Sequence, residues 1–268
     1  MERPSWAAGD IDLDRPSGAR VYDYFLGGAH NFAADRALAD AIAAMTPDIG
    51  DTMRANRAFL RRAVQFLVGA GVTQFLDIGS GIPTVGNVHE IAQAADPTAR
   101  VVYVDVDPVA VSHSRAILGG DPRTVVLEGD ARDVDGIVGH PDTRALLDLD
   151  RPVAVLLLGV LHFVPDDGDP AALVGRLRDA VAPGSYVALV NVTHEDQPPE
   201  VIAAQKLSSR TDTPIFLRSR ADLIAQFDGW DLVPPGLVHI PQWRPDSPLD
   251  VDDRPERFGA LAGLGRRS

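Results

Sequence analysis

Four apolar runs in this 268-residue chain each end in residues suited to chemistry. Phe75 to Ile78 contains Asp77 and leads into Gly79-Ser80-Gly81. Val101 to Val104 leads into Asp105-Val106, and Thr124 to Leu127 into Gly129-Asp130-Ala131. Val153 to Leu158 leads into Gly159 and the turn carrying His162. A Gly-X-Gly turn after a strand lets backbone approach a ligand where a Cβ would collide. An acid ending the next strand is placed to take both hydroxyls of a ribose as hydrogen-bond donors, and Asp105 stands there. Asp130 is placed to accept from an adenine amino group, with the Ala131 N–H beside it. A dinucleotide loop would put a third small residue at position 84, where this chain has Thr84 after Pro83. Pro83 also removes a backbone donor that a pyrophosphate would use. The loop therefore suits a ligand with a ribose and no diphosphate. Each aspartate alone also reads as turn or helix-cap chemistry. Spaced along successive strands, they do not reduce to three unrelated caps.

The elements that must position these residues are legible in the same runs. From Gln74 onward, apolar runs alternate with helical patterns, the βαβαβ order of a parallel sheet with right-handed crossovers. The unbroken apolarity of Val153 to Leu158 predicts a central strand covered on both faces. Helices are predicted over 85–95, 108–118, 171–181 and 219–227, and a fifth strand over 186–190. In the tail, 230–233 and 237–240 are separated by only Pro234-Pro235-Gly236. No helical crossover fits there, so these two segments are expected to pair antiparallel. Residues 1–18 read as an irregular lead-in, 35–45 and 51–68 as helices. The expected division is a helical N-terminal unit over 1–72, capping the site, and a Rossmann-like core over 73–268. Arg54, Arg57, Arg61 and Arg62 fall at helical spacing opposite apolar residues and read as a solvated face.

The formal charge of −13 argues against a nucleic-acid partner, which draws on a basic surface. With no cysteine there is neither a disulfide nor a cysteine-based zinc site, and no metal is expected. No basic-then-apolar leader and no bilayer-length apolar stretch is present, so a cytoplasmic protein without a membrane partner is expected.

Taken together, Leu76 to Gly81, Val104 to Pro108, Glu128 to Ala131, Leu158 to His162 and Ala182 to Tyr186 resemble the motifs of class I S-adenosylmethionine-dependent methyltransferases. More narrowly, Pro16 to Gly28 with Asn31-Phe32 and Asp35-Arg36, Asp77 to Thr84, and Trp243 to Pro245 are similar to the actinobacterial S-adenosyl methyltransferase family, once a domain of unknown function. The resemblance implies an α/β fold with a seven-stranded, mostly parallel sheet and an antiparallel last strand. It implies S-adenosyl-L-methionine as cofactor, held by Asp77, Gly79, Ser80, Gly81, Asp105, Val106, Asp130, Ala131 and Gly159. The leader is expected to fold over that pocket through Tyr22 and Asn31, with Arg20 or Arg54 pairing the methionine carboxylate. His162 and Tyr22 are the candidate catalytic groups, and His194 and Tyr24 lie near enough in sequence to be weighed beside them. No Asn-Pro-Pro-Tyr segment follows the fourth strand, which argues against base amino groups of DNA as acceptors. The expected activity is methyl transfer to a small molecule. A regulatory protein that keeps the cofactor without transferring methyl is the alternative, and an NAD(P)-dependent oxidoreductase a more distant one.

Overall fold

The computed structural model of the chain describes residues 12–83, 86–197, 202 and 214–268. Thr84, Val85 and the first eleven residues of the lead-in lie outside the described residues. Three helices come first: α1 (Gly18–Phe25), α2 (Ala33–Met45) and α3 (Ile49–Gly69). Then follow β1 (Gln74–Ile78), α4 (Val88–Ala95), β2 (Arg100–Asp105), α5 (Pro108–Leu118) and β3 (Thr124–Glu128). Two short helices, α6 (Val134–Gly139) and α7 (Pro141–Leu146), precede β4 (Ala154–Leu158), α8 (Pro170–Ala180) and β5 (Tyr186–Val192). The tail holds α9 (Arg220–Ala225), β6 (Asp231–Leu232), β7 (Val238–His239) and β8 (Ala260–Arg266). No helix among the described residues is long and apolar enough to cross a membrane.

The sheet runs β3-β2-β1-β4-β5-β8-β6, with β1 to β5 parallel and β8 antiparallel to β5. Period-two alternation divides its side chains between two cores. Phe75, Val101, Tyr103, Ala154, Leu156 and Ala188 face α3 and α4, while Leu76, Val102, Val104, Val155, Leu157 and Val187 face α6 and α8. That is why β4, covered on both faces, carries no polar position.

The expected tail pairing is corrected. β6 and β7 do not pair with each other; both run antiparallel to β8, Leu232 opposite Gly265 and Val238 opposite Ala262. They behave as one edge strand interrupted at Pro234-Pro235-Gly236, which brings the sheet to seven positions. Its antiparallel partner β8 has the sequence Ala-Leu-Ala-Gly-Leu-Gly-Arg, whose glycines weaken any strand signal. Packing explains them: a Cβ on Gly265 would lie 2.6 Å from Trp230 Cβ, and one on Gly263 would lie 3.2 Å from Phe227 Cζ.

The arginine face of α3 is also corrected. Arg62 is buried, its Nε donating to Trp243 O at 2.9 Å and its Nη2 to Ile240 O at 3.0 Å. This fork ties α3 to the segment that seats the fully buried Trp243 edge-on against Phe59 and Phe66. We expect Arg62→Met to cost about 2–3 kcal/mol in urea unfolding, since it strands two buried carbonyl oxygens. A loss below about 0.5 kcal/mol would show that water satisfies them equally well.

Candidate functional site

The carboxyl ends of β1, β2, β3 and β4 lie side by side, and the chemistry-bearing residues follow them. After β1 the chain turns back through Gly79 (φ +74°) and Gly81 (φ +68°). The Gly79 and Ser80 N–H groups donate to Val104 O at 2.7 and 3.1 Å, which holds the loop against β2. Asp105 Oδ2 accepts from Gly81 N at 2.7 Å, and its Oδ1 from Asp107 N at 2.8 Å. One carboxylate therefore fastens both the glycine loop and the turn into α5, and keeps lone pairs for further donors. Burial pushes the Asp105 carboxyl up to about 6, against the pull of those N–H donors. Val106, the next residue, presents an apolar side chain that is 65% exposed.

Asp77 is buried beneath the loop. Its carboxyl is pushed up to about 7 by burial, with Arg57 nearby opposing the shift and Asp105 adding to it. Arg57, Asp77, Ser80, Gly81, Pro83 and Asn87 line one recess. Arg57 Nε and Ser80 Oγ are buried there and find no hydrogen-bond partner among the described residues. Such groups are costly in a folded protein and mark a place where a polar ligand belongs.

The guanidinium expected at this recess differs from the one found. Arg20 is buried and committed elsewhere: its Nε donates to both oxygens of Asp35 at 2.9 and 3.1 Å, and its Nη1 lies 3.5 Å from Asp107. Arg54 is exposed and pairs with Asp51. Arg57 stands instead in the recess, its Cζ 5.5 Å from the centre of the Tyr22 ring. A helical-wheel reading put Arg57 in solvent because it could not see that α1 covers this end of α3.

Tyr22 is half-buried, and desolvation raises its hydroxyl above the ordinary range. The hydroxyl donates to Met53 O at 3.3 Å and accepts from Asn56 Nδ2 at 3.1 Å. Tyr24 is peripheral, bonded to Asp40. Asn31 organises the leader turn, donating to Asp23 and Gly28 O and accepting from Arg36. Asp130 forms a close ion pair with Arg132, which holds its carboxyl below the usual range. Ala131 packs partly against the core beside it.

His162 lies in the turn after β4. Burial, with Arg218 adding to it, lowers its imidazole to about 3, so the ring is neutral at physiological pH. Gly159, with φ +87°, sits between it and α3: a Cβ there would lie 3.7 Å from His162 Cε1 and 3.9 Å from Asn56 Nδ2. His194 is exposed. Asn56, like Arg57, escaped the sequence reading; a carboxamide amid the aliphatic residues of α3 was its only trace.

The leader crosses this edge of the sheet. Ser17 Oγ and Arg20 reach Asp107 after β2, His30 contacts His113 of α5 with ring centres 4.1 Å apart, and a Cβ on Gly18 would lie 3.5 Å from Phe163 after β4.

Comparison with known proteins agrees with this geometry. The chain matches the family model described as S-adenosyl methyltransferase over residues 4–268. It superposes on the crystal structure of a candidate methyltransferase from Thermobifida fusca with a TM-score of 0.93 and 41% identity, covering 99% of this chain and 100% of that one. A DUF574 family protein from Streptomyces avermitilis gives 0.91 and 39%, covering 96% and 99%. Among curated proteins, a UDP-N-acetylmuramate–L-alanine ligase from Kineococcus radiotolerans is 35% identical over 149 residues, 51% of this chain but only 31% of the ligase. The chain thus spans about a third of that relative's length.

Proposed function

The chain belongs to the S-adenosyl methyltransferase family, and on that premise we propose that it binds S-adenosylmethionine across the ends of β1, β2 and β3 and methylates a small molecule presented over β4. One observation carries the reading: Asp105 staples the glycine loop while Arg57 Nε and Ser80 Oγ lie buried and unpartnered in the recess beside Asp77. Those groups fit the amino acid end of the cofactor. Arg57 meets its carboxylate and Asp77 its ammonium, while Asp105 takes the ribose hydroxyls. Val106 covers an adenine face, and Asp130 and Ala131 meet the adenine edge once Arg132 shares its carboxylate. Bound there, S-adenosylmethionine supplies an electrophilic methyl group on a sulfonium.

The protein's own contribution is positioning and exclusion of water. The leader over 12–72 serves as the cap. Tyr22 orients Arg57 and Asn56 and, its proton being bonded to Met53 O, acts through them without exchanging a proton itself. His162, neutral and poorly basic, is unsuited to deprotonating an acceptor before transfer.

Proton linkage follows from Asp77 and Asp105. Both carboxyls titrate higher in the folded protein than the value near 3.9 of an unfolded chain. The ligand-free fold therefore binds more protons than the unfolded chain between about pH 4 and 7, and this part of its stability is lost as pH rises through that window. A cationic cofactor favours the ionised carboxylates and expels those protons. Calorimetric titration with S-adenosylmethionine in buffers of different ionisation heat is expected to show proton release at pH 6. Affinity should rise by up to about a hundredfold per pH unit near pH 5, where both carboxyls are protonated, by about tenfold between 6 and 7, and level off above. Heat with NAD and none with S-adenosylmethionine would overturn the cofactor assignment; binding without proton release would overturn the role of Asp77.

A further inference from the structure

We infer that Asn56 and His162 form a hydrogen-bonding station, over the end of β4, for an N–H or O–H donor on the methyl acceptor. The station selects oxygen and nitrogen nucleophiles over carbon and sulfur ones. This inference rests on the cofactor reading above and extends it to the acceptor.

Two elements distant in sequence bring the groups together. Asn56 projects from α3 and His162 from the turn after β4, and both flank Gly159, within 3.9 Å of where its Cβ would stand. Both are about nine-tenths buried, and Asn56 Oδ1 and His162 Nδ1 have no hydrogen-bond partner among the described residues. The orientation of the Asn56 amide follows from its neighbour. The Tyr22 proton is committed to Met53 O, so the Tyr22 oxygen has only acceptor capacity left for Asn56. Asn56 must therefore present its NH2 to Tyr22, and its carbonyl oxygen is turned to the other side. An amide oxygen accepts and never donates. Left alone in a buried place it bears the full desolvation penalty, which a donor brought by a ligand would relieve.

The order of strands says which ligand brings that donor. Asp130 follows β3, Asp105 ends β2 and Asp77 lies next to the last residue of β1, and β4 is the next strand across the sheet. A cofactor laid over the first three has its sulfur end at β1, so the group over β4 is the one facing the transferred methyl. Neither Asn56 nor His162 is a carboxylate, and the charge that acts on His162 is that of Arg218. The station therefore orients a donor without acting as its base, and a carbon or thioether nucleophile would leave Asn56 Oδ1 without a donor and His162 Nδ1 without a partner.

Sinefungin tests this without an identified acceptor. It is an S-adenosylmethionine analogue carrying an amine on carbon where the methylsulfonium stands, so it places N–H donors at the methyl position. S-adenosylhomocysteine has nothing there. Wild-type protein is expected to bind sinefungin at least about tenfold more tightly than S-adenosylhomocysteine, in line with hydrogen bonds from a charged donor. Asn56→Leu is expected to bring that ratio near one while changing S-adenosylhomocysteine affinity less than about twofold. Asn56→Asp gives up the NH2 that Tyr22 accepts but keeps an oxygen on the far side, so it should keep or raise the preference, whereas a role limited to the bond with Tyr22 predicts its loss. His162→Phe should reduce the ratio independently. A wild-type ratio near one, or a preference that survives both Asn56→Leu and His162→Phe, would overturn the station and leave the cofactor site standing. No binding of either compound by wild-type protein would remove both readings.

Discussion

Asp35→Ala is expected to destabilise the protein by about 3–5 kcal/mol, the largest loss from any single side chain in the leader. Asp35 is fully buried at the start of α2. It accepts from Ser17 N at 2.9 Å, from Phe32 N at 2.7 Å and from Arg20 Nε through both oxygens. Alanine leaves a buried guanidinium without its main carboxylate and two amides without an acceptor. The remaining carboxylate, Asp107 at 3.5 Å, is too distant to replace it and already caps α5 through Val109 N, and Arg15 O, the other acceptor of Arg20, carries no charge. Because Arg20 and Ser17 also join the leader to Asp107, the loss should be felt first as detachment of α1 from the sheet. Urea unfolding should show the lowered midpoint, and limited proteolysis should cut within 12–32 before the core opens. Asp35→Asn, which keeps one acceptor and loses the charge, should fall between the two. A loss below about 1 kcal/mol would mean that the apolar contacts of Phe32 with Ile82, Val109 and Ala110 hold the leader without the ion pair.

Gly79→Ala is expected to cost about 2–5 kcal/mol and to lower S-adenosylhomocysteine affinity at least about a hundredfold. Two effects add. At φ +74° an L side chain is strained by about 1–2 kcal/mol. Its Cβ would also lie 2.1 Å from Val160 Cγ2, so either the loop or the turn after β4 must move, an overpacking cost of about 1–3 kcal/mol. Movement of the loop pulls Gly81 away from Asp105 and opens the recess. Gly81→Ala is the control: φ is +68°, but nothing lies within 4 Å of its Cβ, so only the backbone strain is expected. Adding Val160→Ala to Gly79→Ala removes the closest contact and should recover part of both losses. Thermal unfolding and calorimetric titration of the four proteins separate strain from collision. Equal damage at positions 79 and 81 would show that the handedness of the turn, and not Val160, demands glycine at Gly79.

The sequence by itself determined the parallel sheet and the spacing of Asp77, Asp105 and Asp130 along three adjacent strands. Those features are local: strand period, glycine turns and the acid after each strand are set within a few residues. The same was true of α5, predicted over 108–118 and found at Pro108–Leu118. What the sequence left open were decisions made by distant partners. β8 was hidden because Gly263 and Gly265 are required by Phe227 and Trp230, which lie some thirty or more residues earlier in the chain. β6 and β7 looked like a hairpin because the two-strand pattern does not name a third strand between whose ends they both lie. Arg57 and Arg62 looked solvated because helical periodicity describes one helix against one core, whereas α3 is covered at one end by Tyr22 and at the other by Trp243. The loop from Asp77 to Gly81 did not choose between ligands by itself; Pro83 and Thr84 turned the expectation away from a dinucleotide, and Asp105 with Asp130 turned it toward a nucleoside. Which guanidinium lines the recess, and which amide of α3 stands beside Gly159 after β4, depended on how α1 and the sheet pack on α3, contacts between segments far apart in the chain.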